Sequence, residues 1–241
     1  MKEIKVSLGT SEGPMELHGF IPDGPSRRPA AIVLQEAFGV NPHIKRFCRR
    51  LAEEGYAVFA PELFHRAGPG VEFGYDEFAK ARAVLAELTN ERILDDLHAT
   101  HRHISGLPNV DPGRIAAWGF CMGGWAAVLA ACRLPLAAAV SFYGGGLVRP
   151  RPGIGFTPLI DQLASAGCPL LFVFGEQDGS IPPGDREAVG SRLVQLGKAH
   201  EIEVYPGAGH GFFCEDRSAY HGPTAHAAWG RASRWLAANL R

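Results

Sequence analysis

A cysteine at position 121 sits in Gly119-Phe120-Cys121-Met122-Gly123-Gly124, with an apolar run before it and a second apolar run after it. Strand, sharp turn and helix is the setting of a nucleophile elbow. The flanking glycines are needed there because a Cβ would collide with the neighbouring elements. A cysteine at a helix N-terminus also feels the positive end of the macrodipole, which favours thiolate over thiol. The N–H of Met122 would point at the oxygen of a carbonyl under attack, one half of an oxyanion hole. Such a nucleophile needs a base and an acid to orient the base, each on a loop after a later strand. Leu170–Phe174 is followed by Gly175-Glu176-Gln177-Asp178, and Glu201–Tyr205 by Pro206-Gly207-Ala208-Gly209-His210. His210 therefore reads as the base and Asp178 as the acid that fixes its tautomer, with Glu176 the fallback acid. Glu36, just beyond the apolar run Ala30–Leu34, is a carboxylate that would be costly there unless hydrogen-bonded or functional.

The elements that must hold these residues alternate short apolar runs with longer amphipathic ones, the mark of an α/β protein. Strands are expected at Ile4–Leu8, Met15–Ile21, Ala30–Leu34, Ala57–Ala60, Arg114–Trp118, Leu136–Phe142, Leu170–Phe174 and Glu201–Tyr205. Helices are expected near Pro42–Glu53, Asp76–Leu88, Ile93–Ser105, Met122–Cys132, Pro158–Ala164, Asp185–Leu196 and Thr224–Asn239. The first two strands alternate polar and apolar residues across a Gly-Pro turn, so they should form an antiparallel edge on an otherwise parallel, eight-stranded sheet with helices on both faces. Glu62–Tyr75 and Gly144–Thr157 are irregular, rich in Gly or Pro, and are candidate pocket walls. The uncharged stretch Ile115–Cys132 is long enough to suggest a membrane span, but Gly119, Gly123 and Gly124 divide it into strand, turn and helix.

The 241 residues include 24 Lys or Arg and 25 Asp or Glu, for a formal charge of −1, with 46% hydrophobic residues. That is an ordinary globular composition, expected to form one domain spanning residues 1–241. The balance gives no electrostatic footprint for nucleic acid or an anionic membrane. The first residues lack the apolar core of a secretory signal, so a cytoplasmic location is expected. Five cysteines without zinc-type spacing do not read as a disulfide scaffold. Cys48, Cys132 and Cys168 lie in apolar surroundings and read as core residues. No metal or other cofactor is implied: His98 and His101 share a helix face, but His103 turns away and no partner completes a ligand set. The last helix, with Trp229 and Trp235, should pack on the sheet or form a dimer face, leaving monomer and homodimer both open.

The cysteine elbow, Gly-Glu-Gln-Asp at 175–178, Gly-Ala-Gly-His-Gly-Phe at 207–212 and Gln35-Glu36-Ala37-Phe38-Gly39-Val40-Asn41 resemble the dienelactone hydrolase family of α/β-hydrolases. Pro61-Glu62-Leu63-Phe64 and Phe142-Tyr143-Gly144 extend the resemblance over almost the whole chain. It implies a Cys121–His210–Asp178 triad, Glu36 as the group that deprotonates the thiol when substrate enters, and the N–H of Ala37 beside that of Met122 in the oxyanion hole. It further implies hydrolysis of an enol-lactone or small activated ester through a thioester. Where the family carries a substrate-binding arginine four residues after the histidine, this chain has Cys214, and Tyr75-Asp76-Glu77-Phe78 offers no second arginine; Arg82 lies further on. The span from Cys121 to Asp178 is long for the family, the excess falling in 144–158, where Arg149 and Arg151 could supply the missing charge.

With Cys214 in the arginine's place, a substrate without a carboxylate is the simpler expectation. Phe38, Phe64, Tyr143, Phe212 and Cys214 are the expected substrate-binding residues, with Phe213 a further candidate, an aromatic lining suited to a small ester. General carboxylesterase activity, with side reactions on electrophiles such as phosphotriesters, is one alternative. A thiol redox or acyl-transfer protein using Cys121 and Cys214 is another, and a silent binding module a third.

Overall fold

A computed structural model describes residues 1–241. Eight strands form one sheet: β1 (Lys2–Thr10), β2 (Gly13–Ile21), β3 (Arg28–Leu34), β4 (Ala57–Pro61), β5 (Val110–Phe120), β6 (Ala138–Phe142), β7 (Leu170–Gly175) and β8 (His200–Tyr205). Their order is β1-β2-β4-β3-β5-β6-β7-β8. β1 pairs antiparallel with β2, and β2 antiparallel with β4, while every pairing from β4 to β8 is parallel. The hydrophobic pattern dictates this division. β3, β4, β6 and β7 are buried along almost their whole length, as strands covered on both faces must be, whereas β1 alternates exposed and partly buried residues.

Six α-helices accompany the sheet: α1 (Pro42–Glu53), α2 (Phe78–Glu87), α3 (Asn90–Ser105), α4 (Met122–Arg133), α5 (Pro183–Gln195) and α6 (Gly222–Asn239). Local chemistry sets their starts. Asn41 caps α1 by accepting from the Ile44 N–H at 3.1 Å, with Pro42 in the first turn where its missing N–H costs nothing. Thr89 caps α3 in the same way through the Arg92 N–H. Helix α4 is buried from Met122 to Cys132, so the uncharged stretch is a core helix. No helix is long and apolar enough to cross a membrane.

Element limits shift from the expected ones by up to four residues, and one element changes type. β5 runs from Val110, not Arg114, and β6 begins at Ala138, not Leu136. The helix expected at Pro158–Ala164 is a 3₁₀ turn over Ile160–Ser165, because six residues between Leu159 and Ala166 leave little room for α-type bonds. One hydrophobic core joins both faces, and Trp229 of α6 enters it, stacking on Trp118 at 5.7 Å. Cys48, Cys132 and Cys168 are buried and free.

Candidate active site

The C-terminal ends of the parallel strands deliver the chemistry to one rim of the sheet. β5 ends at Phe120, and Cys121 follows with φ 54° and ψ −116°, a conformation rare for a residue with a side chain. Packing enforces it: a Cβ on Gly119 would lie 1.8 Å from the Gly123 carbonyl oxygen, and one on Gly123 would lie 2.2 Å from that of Leu34. Only glycines allow the turn to close this tightly. Met122 opens α4, so its N–H has no partner within the helix and is free to face an oxyanion.

His210, on the loop after β8, places Nε2 at 3.1 Å from the Cys121 Sγ, and its Nδ1 lies 2.7 Å from Asp178 Oδ2. Asp178, on the loop after β7, also accepts from the Ser180 N–H at 2.8 Å. These contacts decide the charges. Burial alone would push the Cys121 thiol up, but the charge and hydrogen bond of His210 outweigh it and hold the thiol below its ordinary value. Burial would likewise lower His210, yet the sulfur and Asp178 together carry it up to about 10. Asp178 stays below the usual carboxylate range because its bonds to His210 and Ser180 overcome the cost of burial. Thiolate, imidazolium and carboxylate are mutually stabilised. Glu176 points elsewhere, accepting from the Gly207 N–H at 3.3 Å.

The turn after β3 is buried from Gln35 through Asn41. Gln35 accepts from the Leu63 N–H at 3.1 Å, tying this turn to the loop after β4. Glu36 is 1% exposed, and burial raises its pKa against the opposing influence of Arg217 and His210. Its Oε1 lies 3.5 Å from Arg217 Nη1, while Oε2 has no partner. Tyr143, at φ 39° after β6, packs its ring 5.2 Å from that of His210, and its hydroxyl is also without a partner.

Arg217 is the residue that reading the sequence missed. It comes from the His210 loop, three positions beyond Cys214, and its guanidinium sits 5.5 Å from the Phe38 ring and 5.8 Å from that of Tyr75. A Cβ on Gly211 would lie 2.2 Å from Arg217 Nη1, so Gly211, with φ 78°, leaves the space the arginine crosses. A signal was available: Arg217 is the one Lys or Arg between His210 and Tyr220. Cys214 does not stand in for it. The Cys214 thiol is fully buried and donates to the Tyr75 hydroxyl at 3.0 Å, and burial pushes its pKa up to about 11.

The two arginines of the 144–158 segment go different ways. Arg149 pairs with Asp185 of α5. Arg151 donates to the Ser180 carbonyl at 2.6 Å, and its charge favours the anionic forms of both Cys121 and Asp178. Arg82 donates to the Pro152 carbonyl at 2.6 Å. Among the aromatic residues, Phe38 meets Tyr75 edge-on at 4.8 Å near the guanidinium. Phe64, 1% exposed, packs on Phe73 and borders a separate cavity of about 360 Å³ with Leu63, Val84 and Leu88. Phe212 is fully buried against Tyr143 and Tyr205, and Phe213 against Phe120 and Phe47.

A parallel sheet with an antiparallel edge, a strained residue between β5 and α4, an acid after β7 and a histidine after β8 define an α/β-hydrolase. Comparison with known proteins narrows the class. The model of the dienelactone hydrolase family matches residues 16–240, and the chain belongs to that family. A relative from Synechocystis sp., provisionally named a carboxymethylenebutenolidase, is 36% identical over 99% of both chains. A relative from Bradyrhizobium sp., provisionally named a 2-oxo-3-(5-oxofuran-2-ylidene)propanoate lactonase, is 29% identical over 87% of this chain and 84% of its own. A crystal structure from Klebsiella pneumoniae, provisionally titled a dienelactone hydrolase, superposes with a TM-score of 0.88 at 31% identity, covering 98% of each chain. The protein is thus a hydrolase of the dienelactone hydrolase type.

Proposed function

We propose that the chain hydrolyses an enol-lactone or small activated carboxylic ester through a thioester on Cys121. The observation that carries this reading is the continuous contact from the Cys121 Sγ through His210 to Asp178, at 3.1 and 2.7 Å. The thiolate attacks the carbonyl carbon, and the oxygen takes up negative charge between the N–H groups of Met122 and Ala37. The carbon–oxygen bond to the leaving group then breaks, and the His210 imidazolium supplies the proton that group requires. In the second half, His210 takes a proton from water, the resulting hydroxide attacks the thioester, and the Cys121 thiolate departs. A lactone gives a single ring-opened product, since acyl and leaving groups are joined. Glu36 serves as the reserve base, held near Arg217 until a substrate displaces that contact.

Arg217 bears on which ester is taken. Its position against Glu36 puts a guanidinium within electrostatic reach of the Cys121 sulfur, where it would pair with a substrate carboxylate more strongly than water could. This favours an acidic lactone over a neutral ester, and supplies from further along the loop the charge that Cys214 cannot. The redox alternative has little support: Cys214 is buried, protonated at neutral pH and hydrogen-bonded to Tyr75. Turnover of p-nitrophenyl acetate and of a dienelactone by wild type and by Cys121→Ala tests the mechanism. Both activities should fall roughly 10⁴-fold or more, the scale for loss of a nucleophile that works as one unit with its base. Full activity of Cys121→Ala would refute it.

A further inference from the structure

Helix α1 presents His43 to the loop that carries His210, its ring 6.2 Å from that of Phe213. His43 is 5% exposed, and its Nε2 is buried with no hydrogen-bond partner. A buried polar atom left unpaired costs about 1–3 kcal/mol and calls for an explanation. A ring nitrogen of His43, the Cys214 Sγ and a carboxylate oxygen of Asp216 all lie within 4.8 Å of one another. His43 also lines a cavity of about 570 Å³, together with Arg46, Phe213 and Glu215.

We infer that His43, Cys214 and Asp216 form a binding site for a thiophilic divalent cation of the zinc type. Imidazole, thiolate and carboxylate are the donors such an ion selects, and three protein ligands leave a fourth position for water from the cavity. With metal–nitrogen and metal–sulfur distances of about 2.0 and 2.3 Å, tetrahedral donors stand roughly 3.3–3.7 Å apart, so side-chain shifts of about 1 Å close the site. Asp216 already receives Arg46 Nη2 on Oδ2 at 2.6 Å, which leaves Oδ1 for the ion. The Cys214 S–H bond breaks as the sulfur–metal bond forms, its proton passes to solvent, and no electron changes hands. The thiol then gives up its hydrogen bond to Tyr75.

The ligands come from two elements, α1 and the loop that carries His210 and Arg217. Asp216 immediately precedes Arg217 and Cys214 lies three residues before it, so an ion here staples the arginine-bearing stretch to α1. The site uses neither Cys121 nor His210, so metal binding can be read in a protein that carries out no ester chemistry.

Cobalt(II) chloride is the probe, added to full-length Cys121→Ala protein so that the reactive thiol cannot compete. One equivalent should bind with a near-ultraviolet thiolate-to-cobalt charge-transfer band and raise the melting temperature. Cys214→Ser should abolish the band. His43→Gln should weaken binding by more than the roughly tenfold to hundredfold seen for loss of an outer-shell partner. No band in Cys121→Ala, a band that survives Cys214→Ser, or unchanged affinity in His43→Gln would overturn the assignment. Should Cys214→Ser fail to fold, the His43→Gln affinity decides alone.

Discussion

His210 titrates against its own burial. Desolvation works to keep the ring neutral, and only the Cys121 sulfur and Asp178 keep it charged, up to about pH 10. The competent pair of thiolate and imidazolium therefore exists between the depressed thiol pKa and that upper limit. Hydrolysis should rise with pH as Cys121 ionises and fall again near pH 10 as His210 loses its proton. Asp178→Asn removes one of the two anions that hold the imidazolium, so the alkaline limb of kcat/KM should move to lower pH. An unmoved limb would show that Asp178 does not set the charge of the ring. Arg217 makes a second prediction. Arg217→Gln should lower kcat/KM for a carboxylate-bearing lactone by about 10- to 150-fold, the equivalent of 1.5–3 kcal/mol for a hydrogen bond to a charged group. Turnover of p-nitrophenyl acetate, which has no carboxylate, should change little. Equal losses on both substrates would count against Arg217 as the reader of substrate charge. The placement of Cys121, Asp178, His210 and Glu36 at one rim of the sheet was legible because each lies within five residues of a strand end, where backbone geometry narrows the side chain's reach. Arg217 was not legible in that way: it lies twelve residues beyond the end of β8, and a long flexible side chain can reach the site from any of several positions there.

At the scale of elements, the loop after β4 and helix α3 are joined through one buried carboxylate. Asp96 of α3 is fully buried, accepts from Arg66 at 2.8 and 3.0 Å on its two oxygens, and meets His65 Nε2 at 3.0 Å. Neither His65 nor Arg66 can find water readily if it is removed, since their side chains are 2% and 12% exposed. Arg66 keeps Glu12 on its Nε, so Asp96→Ala should cost about 3 kcal/mol, the lower end of the penalty for a buried pair that loses one partner, measured as a fall in denaturant midpoint at unchanged m-value. A cost near the roughly 0–1 kcal/mol of a surface pair would show that the guanidinium escapes to solvent. None of this bridge is written in the periodicity of α3, because Asp95 and Asp96 read alike in sequence and only the fold turns one inward. Periodicity did place α1, whose limits coincide with those expected from Pro42 to Glu53. It failed at Ile160–Ser165, where an apolar pattern is too short to decide between α and 3₁₀ hydrogen bonding.

For the molecule as a whole, the 144–158 segment works as a strap across the rim of the sheet. Its Gly155 N–H donates to the Leu85 carbonyl of α2 at 2.9 Å, its Thr157 N–H to Asn90 of α3, and its Thr157 carbonyl accepts from the Trp125 indole of α4 at 3.2 Å. Arg149 reaches Asp185 of α5, and Arg151 reaches the acid loop at Ser180. One irregular stretch thus touches helices from both halves of the sheet and holds a charge near Cys121. Its apolar anchor is Phe156, 6% exposed, whose ring lies 4.4 Å from that of Trp125. Truncation to alanine leaves a cavity over α4 that a strap pinned at both ends has little freedom to fill. Phe156→Ala should therefore cost about 3–5 kcal/mol and lower the melting temperature by roughly 10 °C for a chain of this size. Loosening the strap also frees Arg151, whose charge favours the thiolate, so the acid limb of the pH–rate profile should shift upward as well. A destabilised variant with an unchanged acid limb would separate the two roles, leaving Phe156 as packing and the position of Arg151 to its own bond with Ser180.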